Sequence, residues 1–141
     1  MKIQIKKINS EAKNPIYANK GDAGMDLYSV EDLIVEPGKR IACGTGIIMA
    51  IPTGYVGLIW DKSGVAFNGG IKTMGGVIDS SYRGEIKIIL TNLSCREYII
   101  KKGDKIAQML IQKVEKPSIE EVEFLDDTER GEGGFGSTGI R

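Results

Sequence analysis

The chain has 141 residues, in which 19 lysines and arginines balance 19 aspartates and glutamates to a formal net charge of zero. The length fits one domain whose core needs no disulfide or structural metal, and the balanced charge provides no overall attraction to nucleic acid or anionic membranes. The sequence contains no histidine, which excludes Ser-His and Cys-His nucleophile pairs and histidine-based zinc sites.

Short apolar segments separated by glycines and turn signals follow one another along the chain, which indicates many short strands. Strands are predicted, in order, at residues 3–8, 33–35, 40–51, 55–60, 85–90 and 98–100. Ile106, Leu110 and Val114 recur every four residues, which suits a helix as well as a strand, and residues 118–121 resemble the capping box of a helix. The strand count elsewhere favours an all-β sandwich or barrel of short antiparallel strands.

The segment at the end of the chain has a different composition, rich in glycine and poor in apolar residues. We therefore divide the chain into a β domain, residues 1–125, and a mobile C-terminal arm, residues 126–141. No apolar run reaches the roughly 20 residues of a membrane helix, and the first residues form no signal-peptide core. We expect a soluble, cytoplasmic protein without membrane or nucleic-acid partners, in which Cys43 and Cys95 are buried free thiols.

A cluster of glycines and polar residues follows residue 74. Gly75 and Gly76 permit close approach of the backbone to a ligand, and Asp79 comes directly after two β-branched residues, as at a strand end. Without histidine, acid–base chemistry falls to carboxylates, tyrosine, lysine or water, so Asp79 is a candidate general base with the Tyr82 ring nearby. A hairpin with a solvated aspartate explains the same residues.

Five further residues could contact a phosphate or a metal. Lys62 carries a charge, and Ser63 and Gly64 could open a helical turn whose free N–H groups favour anions. Asp26 is a lone carboxylate that most often marks a turn or cap. Gln108 could donate its amide to phosphate or face solvent. On chemistry alone, an ordinary turn or surface role is the simpler explanation for each.

The glycine-rich arm contains groups that suit a nucleotide. Arg130 is a cation, Ser137 and Thr138 are hydroxyl donors, and glycines such as Gly136 let backbone N–H groups converge on an anion. Phe135 could stack on a nucleobase. These residues fit an arm that closes over a nucleotide, although composition alone favours a disordered tail with an incidental phenylalanine.

Taken together and in this order, these segments resemble the homotrimeric dUTPases. That family carries five short motifs, and each has a counterpart between residues 23 and 139. The counterparts are residues 23–27 (AGMDL), 62–64 (KSG), 76–79 (GVID) with 82–84 (YRG), 103–104 (GD) with 106–108 (IAQ), and 130–131 (RG) with 133–139 (GGFGSTG). The third and fifth motifs are long and specific.

The resemblance implies a jelly-roll-like β domain, a strand rather than a helix at residues 106–114, and a homotrimer with three shared active sites. It implies hydrolysis of dUTP to dUMP and pyrophosphate with Mg²⁺, and an arm that covers a neighbouring subunit's site. Asp79 is similar to the base that activates water for attack on the α-phosphorus. Asp26 is similar to an outer-shell metal residue that acts through water.

The substrate contacts follow from the same resemblance. Lys62, Ser63, Gly64 and Gln108 correspond to phosphate ligands, and Tyr82 is expected under the sugar, where it leaves no room for a 2′-hydroxyl. The hairpin at Gly75 and Gly76 corresponds to a uracil slot that main-chain groups read. Phe135 is expected to stack on uracil. The other arm residues complete the cover over the nucleotide: Arg130, Gly136, Ser137 and Thr138.

Two positions depart from the family pattern. The second motif commonly has arginine where this chain has Lys62, which keeps the charge but loses the planar fork that grips phosphate. The third motif often has a second aspartate where this chain has Ser81. The alternatives are a dCTP deaminase or bifunctional dCTP deaminase–dUTPase of the same superfamily, and a nucleotide-sensing interaction protein whose arm a partner would read.

Overall fold

The chain folds mainly into antiparallel β-sheets, and the computed structural model describes residues 1–134. Ten strands and one short helix are present in this part of the chain. They are β1 (Gln4–Lys7), β2 (Met25–Tyr28), β3 (Leu33–Val35), β4 (Arg40–Ala50), β5 (Tyr55–Trp60), α1 (Ser63–Gly69), β6 (Ile71–Met74), β7 (Val77–Ile78), β8 (Glu85–Asn92), β9 (Tyr98–Ile100) and β10 (Lys105–Lys113).

The strands form two four-stranded sheets and one two-stranded sheet. Their orders are β1-β4-β8-β6, β2-β10-β5-β7 and β3-β9. Neighbours within a sheet are far apart in sequence and every pairing is antiparallel, as in jelly-roll and Greek-key arrangements. The expectation of a jelly-roll-like, all-β fold is therefore confirmed.

The core lies between the facing sides of the sheets. In β8, Ile86, Ile88 and Leu90 are buried while the alternate residues Lys87 and Ile89 are exposed, which is the period of two expected for a half-buried strand. In contrast, all four residues of β2 are buried, and the chain before it pairs along its edge through the bridge between Ile16 and Asp26. The side chain of Asp26, which lies in this strand, is therefore buried.

The ambiguous segments of the sequence have different outcomes. Residues 105–113 form strand β10, paired with both β2 and β5, so the strand that the family resemblance implied is confirmed. The helix considered for residues 118–121 is wrong, since that segment has no regular structure and is exposed, with Ile119 98% exposed. A helix this short needs an apolar face packed on a neighbour, and none covers it among the described residues.

Three smaller sequence expectations need correction. The predicted strand at residues 3–8 is shorter, at Gln4–Lys7. Strands β2 and β6 were not predicted. The interpretation of Asp26 as a turn or cap residue is wrong, since Asp26 lies within β2. Cys43 is a buried free thiol as expected, but Cys95 is exposed, because it lies in the turn after β8 that Asn92 and Ser94 hold at the surface.

From residue 114 to residue 134 the chain forms no helix or strand. The division between a β domain and an arm at residue 125 stays a prediction. In the described range, no helix has the length and apolar character needed to cross a membrane.

Candidate active site

A buried carboxylate with two lysines lies in β2, at one edge of its four-stranded sheet. Asp26, in β2, is only 3% exposed. Lys62 Nζ lies 2.5 Å from its Oδ1, and Lys105 Nζ lies 2.6 Å from its Oδ2. The Lys105 contact lacks hydrogen-bond geometry, so Oδ2 has no hydrogen-bond donor among the described residues.

The two lysines determine the charge state of Asp26. Burial acts to raise the pKa of this carboxyl, but the adjacent ammonium groups of Lys105 and Lys62 outweigh burial and lower the pKa. The same contact with Asp26 raises the pKa of Lys105. Asp26 is therefore a carboxylate at neutral pH, as a partner for metal-bound or phosphate-bound water must be.

The loop after β5 presents the second candidate group. Lys62 is the extended residue before α1, and its carbonyl accepts from Ala66 N at 2.9 Å. Ser63 and Gly64 form the exposed first turn of that helix, so the helical turn expected at Ser63 is confirmed. Their main-chain N–H groups lie in the first turn, where no preceding turn of helix supplies carbonyl oxygens to accept from them.

Two side chains fix this loop in place. Asp61 Oδ1 accepts from Thr73 N at 2.6 Å and Thr73 Oγ1 at 2.7 Å, and its Oδ2 pairs with Lys72 at 2.8 Å. Gln108 Nε2 donates to the main-chain carbonyl of Asp61 at 2.8 Å. Gln108 therefore neither faces open solvent nor points freely at a ligand. Sequence reasoning missed Asp61, whose signal was a carboxylate between a strand and the Lys62-Ser63-Gly64 turn.

The hairpin with Asp79 carries the remaining candidates. Gly75 and Gly76 have positive φ angles of 67° and 102°, a conformation that favours glycine. Gly76 O accepts from Ile59 N at 2.8 Å, which ties the hairpin to β5. Asp79 follows β7 directly, as predicted, and begins a turn closed by a 3.1 Å bond from Tyr82 N to Asp79 O.

The Tyr82 ring is held by its own neighbours. Its hydroxyl donates to Glu85 O at 3.0 Å, and the ring lies so close to Gly84 that a Cβ there would collide with it. Arg83 donates to the Ser80 and Tyr82 carbonyls at 2.7 Å each. Ser81, the departure from the family pattern, sits exposed in the same turn.

Five of the candidate residues line two separate clefts. One, of about 670 Å³, is formed by Val77, Ile78, Asp79 and Tyr82 together with side chains of β4 and β8. The other, of about 470 Å³, contains Asp26, Lys62 and Gln108 and is walled by Trp60 and Asp61. Within one chain, Asp79 and Tyr82 thus lie in a different cleft from Asp26, Lys62 and Gln108, and the candidates Ser63, Gly64, Gly75 and Gly76 line neither cleft.

The strand register sets the separation of the clefts. Asp26, Gln108 and Trp60 lie in one row across β2, β10 and β5, whereas β7 pairs with β5 at Gly57 and Leu58. Asp79 is thus three strands across and four residues along from Asp26. With about 4.8 Å between strands and about 3.3 Å per residue, the two carboxylates are about 20 Å apart.

The arm candidates are described only in part. Arg130 is exposed, and its Nε donates to Gly133 O at 2.8 Å within a local turn, away from both clefts. Phe135, Gly136, Ser137 and Thr138 lie outside the described residues.

Comparison with known proteins identifies the family of this chain. The sequence model of the dUTPase family matches residues 10–139. The chain belongs to the dUTPase family. A deoxyuridine 5′-triphosphate nucleotidohydrolase from Nautilia profundicola is 52% identical over 141 residues, 99% of each chain. Its counterpart from Paramecium bursaria Chlorella virus 1 is 49% identical, over 96% of each chain.

Solved dUTPase structures share the fold. A variant of the Staphylococcus bacteriophage 80alpha dUTPase with dUpNHpp bound is 30% identical and superposes with a TM-score of 0.93 over 99% of each chain. A variant of the dUTPase from phage phi11 of S. aureus has a TM-score of 0.83 at 27% identity, over 88% of this chain and 98% of that one. That structure shows the coordination of a structural Mg(II) ion.

Residues 1–134 contain no protein cage for a metal. No group of three or more acidic or cysteine side chains that could hold an ion occurs within residues 1–134. Mg²⁺ in nucleotide enzymes is usually held by substrate phosphates and one or two carboxylates, with several waters retained. The Asp26 carboxylate, which two lysines keep in its charged form, fits such an outer-shell role.

Proposed function

We propose that this dUTPase hydrolyses dUTP to dUMP and pyrophosphate with Mg²⁺. The observation that carries the proposal is its 52% identity to a deoxyuridine 5′-triphosphate nucleotidohydrolase over nearly the whole of both chains. The geometry agrees, since one cleft offers a carboxylate beside an aromatic ring and the other offers cations beside a buried carboxylate.

Asp79 is the proposed general base. Its carboxylate lines an open cleft at the end of β7, where it can orient a water and take its proton as the water attacks the α-phosphorus. The bond to the bridging oxygen then breaks and pyrophosphate leaves. Mg²⁺, when bound, would neutralise charge on the phosphates, with Asp26 as its outer-shell acceptor through water.

The phosphates are proposed to bind at the cleft that contains Asp26 and Lys62, under the arm. The first turn of α1, with Ser63 and Gly64, provides main-chain N–H groups, and Lys62 adds a point charge. Gln108 keeps the loop in position through the Asp61 carbonyl, and the second hydrogen of its amide can donate to phosphate. We propose that arm residues Arg130, Phe135, Gly136, Ser137 and Thr138 complete the cover over phosphates and base.

Substrate selection is assigned to the hairpin cleft. The hydroxyl end of the Tyr82 ring is held by Glu85 O and lies against Gly84. A fixed ring beneath the sugar would exclude a 2′-hydroxyl by collision, which is selection by a repulsive contact. The main chain at Gly75 and Gly76 is proposed to read uracil, in a slot too tight for a 5-methyl group.

The separation of the clefts supports a homotrimer with shared sites. A general base and the groups that hold the phosphates must all lie within hydrogen-bond reach of one nucleotide, whereas Asp79 and Asp26 are about 20 Å apart on the strand count. We propose that one subunit supplies the Asp79 cleft and its neighbour supplies the Asp26 cleft. A site built this way is incomplete in one chain.

A pyrophosphate-release assay with dUTP, dTTP, dCTP and UTP, with and without Mg²⁺, tests the proposal. We expect release from dUTP alone and only with a divalent cation. Binding of dUTP without release would contradict hydrolysis and point to a nucleotide sensor. Ammonia released from dCTP would point to a deaminase instead.

A further inference from the structure

Lys105 has a contact that places it in the site, although it lies between the two parts of the fourth motif. Its Nζ is 2.6 Å from Asp26 Oδ2, and its side chain is 42% exposed against 4% for the carboxylate. Lys62 holds the other oxygen at 2.5 Å. Each oxygen of Asp26 thus has its own lysine.

A β-bulge directs Lys105 to this position. Along β10 and β2, Gln108 pairs with Asp26 and Ala107 with Leu27, but Lys105 rather than Ile106 pairs with Tyr28. In an unbroken ladder Lys105 would lie one place further on, with its side chain on the opposite face from Asp26. The extra residue moves Lys105 to the face of Asp26 and makes the two diagonal neighbours, within reach of a long side chain.

Lys62 has two partners, Asp26 in the structure and a phosphate in the proposed function. Lys62 donates to Asp26, yet the proposed function needs its ammonium on a phosphate. If Lys62 were the only partner, its departure would leave a carboxylate that is 3% exposed without a counter-ion. Uncompensated buried charge is strongly unfavourable.

We propose that Lys105 is a positioning residue: it remains with Asp26 as a permanent counter-ion, so that Lys62 can move from Asp26 to the nucleotide phosphates. The inference rests on the proposed function, because it takes a nucleotide phosphate as the destination of Lys62. This role would account for the β-bulge, since in an unbroken strand Lys62 would be the one lysine beside Asp26.

Binding of dUpNHpp without Mg²⁺, measured by calorimetry in EDTA, tests this role. Lys105→Met should weaken binding about tenfold, since Lys62 must then abandon a buried carboxylate, whereas Lys105→Arg should bind within about twofold of the unaltered protein. When Asp26→Asn is also present, Lys105→Met should have less than a twofold effect, because no carboxylate then holds Lys62.

A role of Lys105 in stability alone predicts a different pattern. The loss of affinity would then be the same with Asp26 and with Asn at position 26, and that result overturns the inference. Lys105→Gln provides the same comparison if Lys105→Met does not fold. Pyrophosphate release by the unaltered protein is measured first, and its absence removes the proposed function. Normal release, together with a Lys105→Met effect that is the same with Asp26 and with Asn at position 26, removes only this inference.

Discussion

The side-chain amide of Gln108 donates to the main-chain carbonyl of Asp61 at 2.8 Å, which joins the middle of β10 to the loop that opens α1. Asp61 in turn is bonded to Thr73 and Lys72 on β6. The loop carrying Lys62 and Ser63 is therefore fixed from two sides. A phosphate arriving there meets a preformed turn, which limits the ordering that binding requires.

Replacement of Asp79 separates chemistry from binding. Asp79→Asn should lower turnover of dUTP by about 10²- to 10⁴-fold, since a positioned base contributes about that much, while affinity for dUpNHpp changes little. Steady-state pyrophosphate release and calorimetry measure the two effects. Asp32→Asn is a matched control, because Asn keeps the oxygen that accepts from Lys102 N. Near-normal turnover in Asp79→Asn would remove this residue from the base role.

Removal of the arm tests its role as a cover. A chain ending at residue 129 should lose most of its dUTP turnover, yet keep its melting temperature and oligomeric state, because no residue after 129 forms part of the core among the described residues. Pyrophosphate release, thermal melting and sedimentation provide the three readouts. Full activity of the shortened chain would show that the arm is no lid.

The fit of Tyr82 over Gly84 determines sugar selection in this account. Gly84→Ala should displace the ring, since a Cβ collides with it, and should raise kcat/KM for UTP relative to dUTP by about tenfold, the effect of about 1.4 kcal/mol. Tyr82→Phe keeps the ring and should keep the selectivity. Unchanged UTP discrimination in Gly84→Ala would assign sugar selection to another group.

Acid stability reports on Asp61. Burial acts to raise its pKa, but hydrogen bonds from Lys72 and Thr73 outweigh burial and lower it below 3.8. A carboxyl with a lowered folded pKa stabilises the fold above its unfolded pKa, and this stabilisation is lost as pH falls through the folded value. Asp61→Asn should therefore lower the free energy of unfolding by about 1–2 kcal/mol at pH 7 and flatten its decline below about pH 4.

Urea denaturation across pH 2.5 to 7 at roughly one-unit steps, within the linear extrapolation method, measures this difference. An Asp61→Asn profile that runs parallel to that of the unaltered protein would show that Asp61 contributes no pH-dependent stability.

The sequence predicted the features that follow from local pattern. Glycine spacing and alternation identified most strands, and the β-branched pair before Asp79 located the strand end of β7. Strand β2 was missed because all four of its residues are buried, including Asp26. An aspartate inside a buried strand breaks the apolar pattern, and only the lysines brought to it by the fold make its burial tolerable.

Features that depend on register were beyond sequence reasoning. The placement of Lys105 follows from one extra residue in β10, which leaves no compositional signal. Likewise, the separation of Asp79 from Asp26 follows from the strand order, since β7 joins the sheet at the far edge from β2. The motif residues could be named from the sequence, but their division into two clefts could not.

The central claim, that dUTP is hydrolysed at a site shared between chains, is tested most directly by subunit mixing. Asp79→Asn and Asp26→Asn proteins, each with little activity alone, are unfolded and refolded together at equal amounts. Over all the trimers that random assembly of the proposed homotrimer yields, a site that takes the carboxylate of Asp79 from one subunit and that of Asp26 from its neighbour is intact about a quarter of the time. We predict that pyrophosphate release recovers to about that fraction, whereas a mixture as inactive as its two parents would contradict the account.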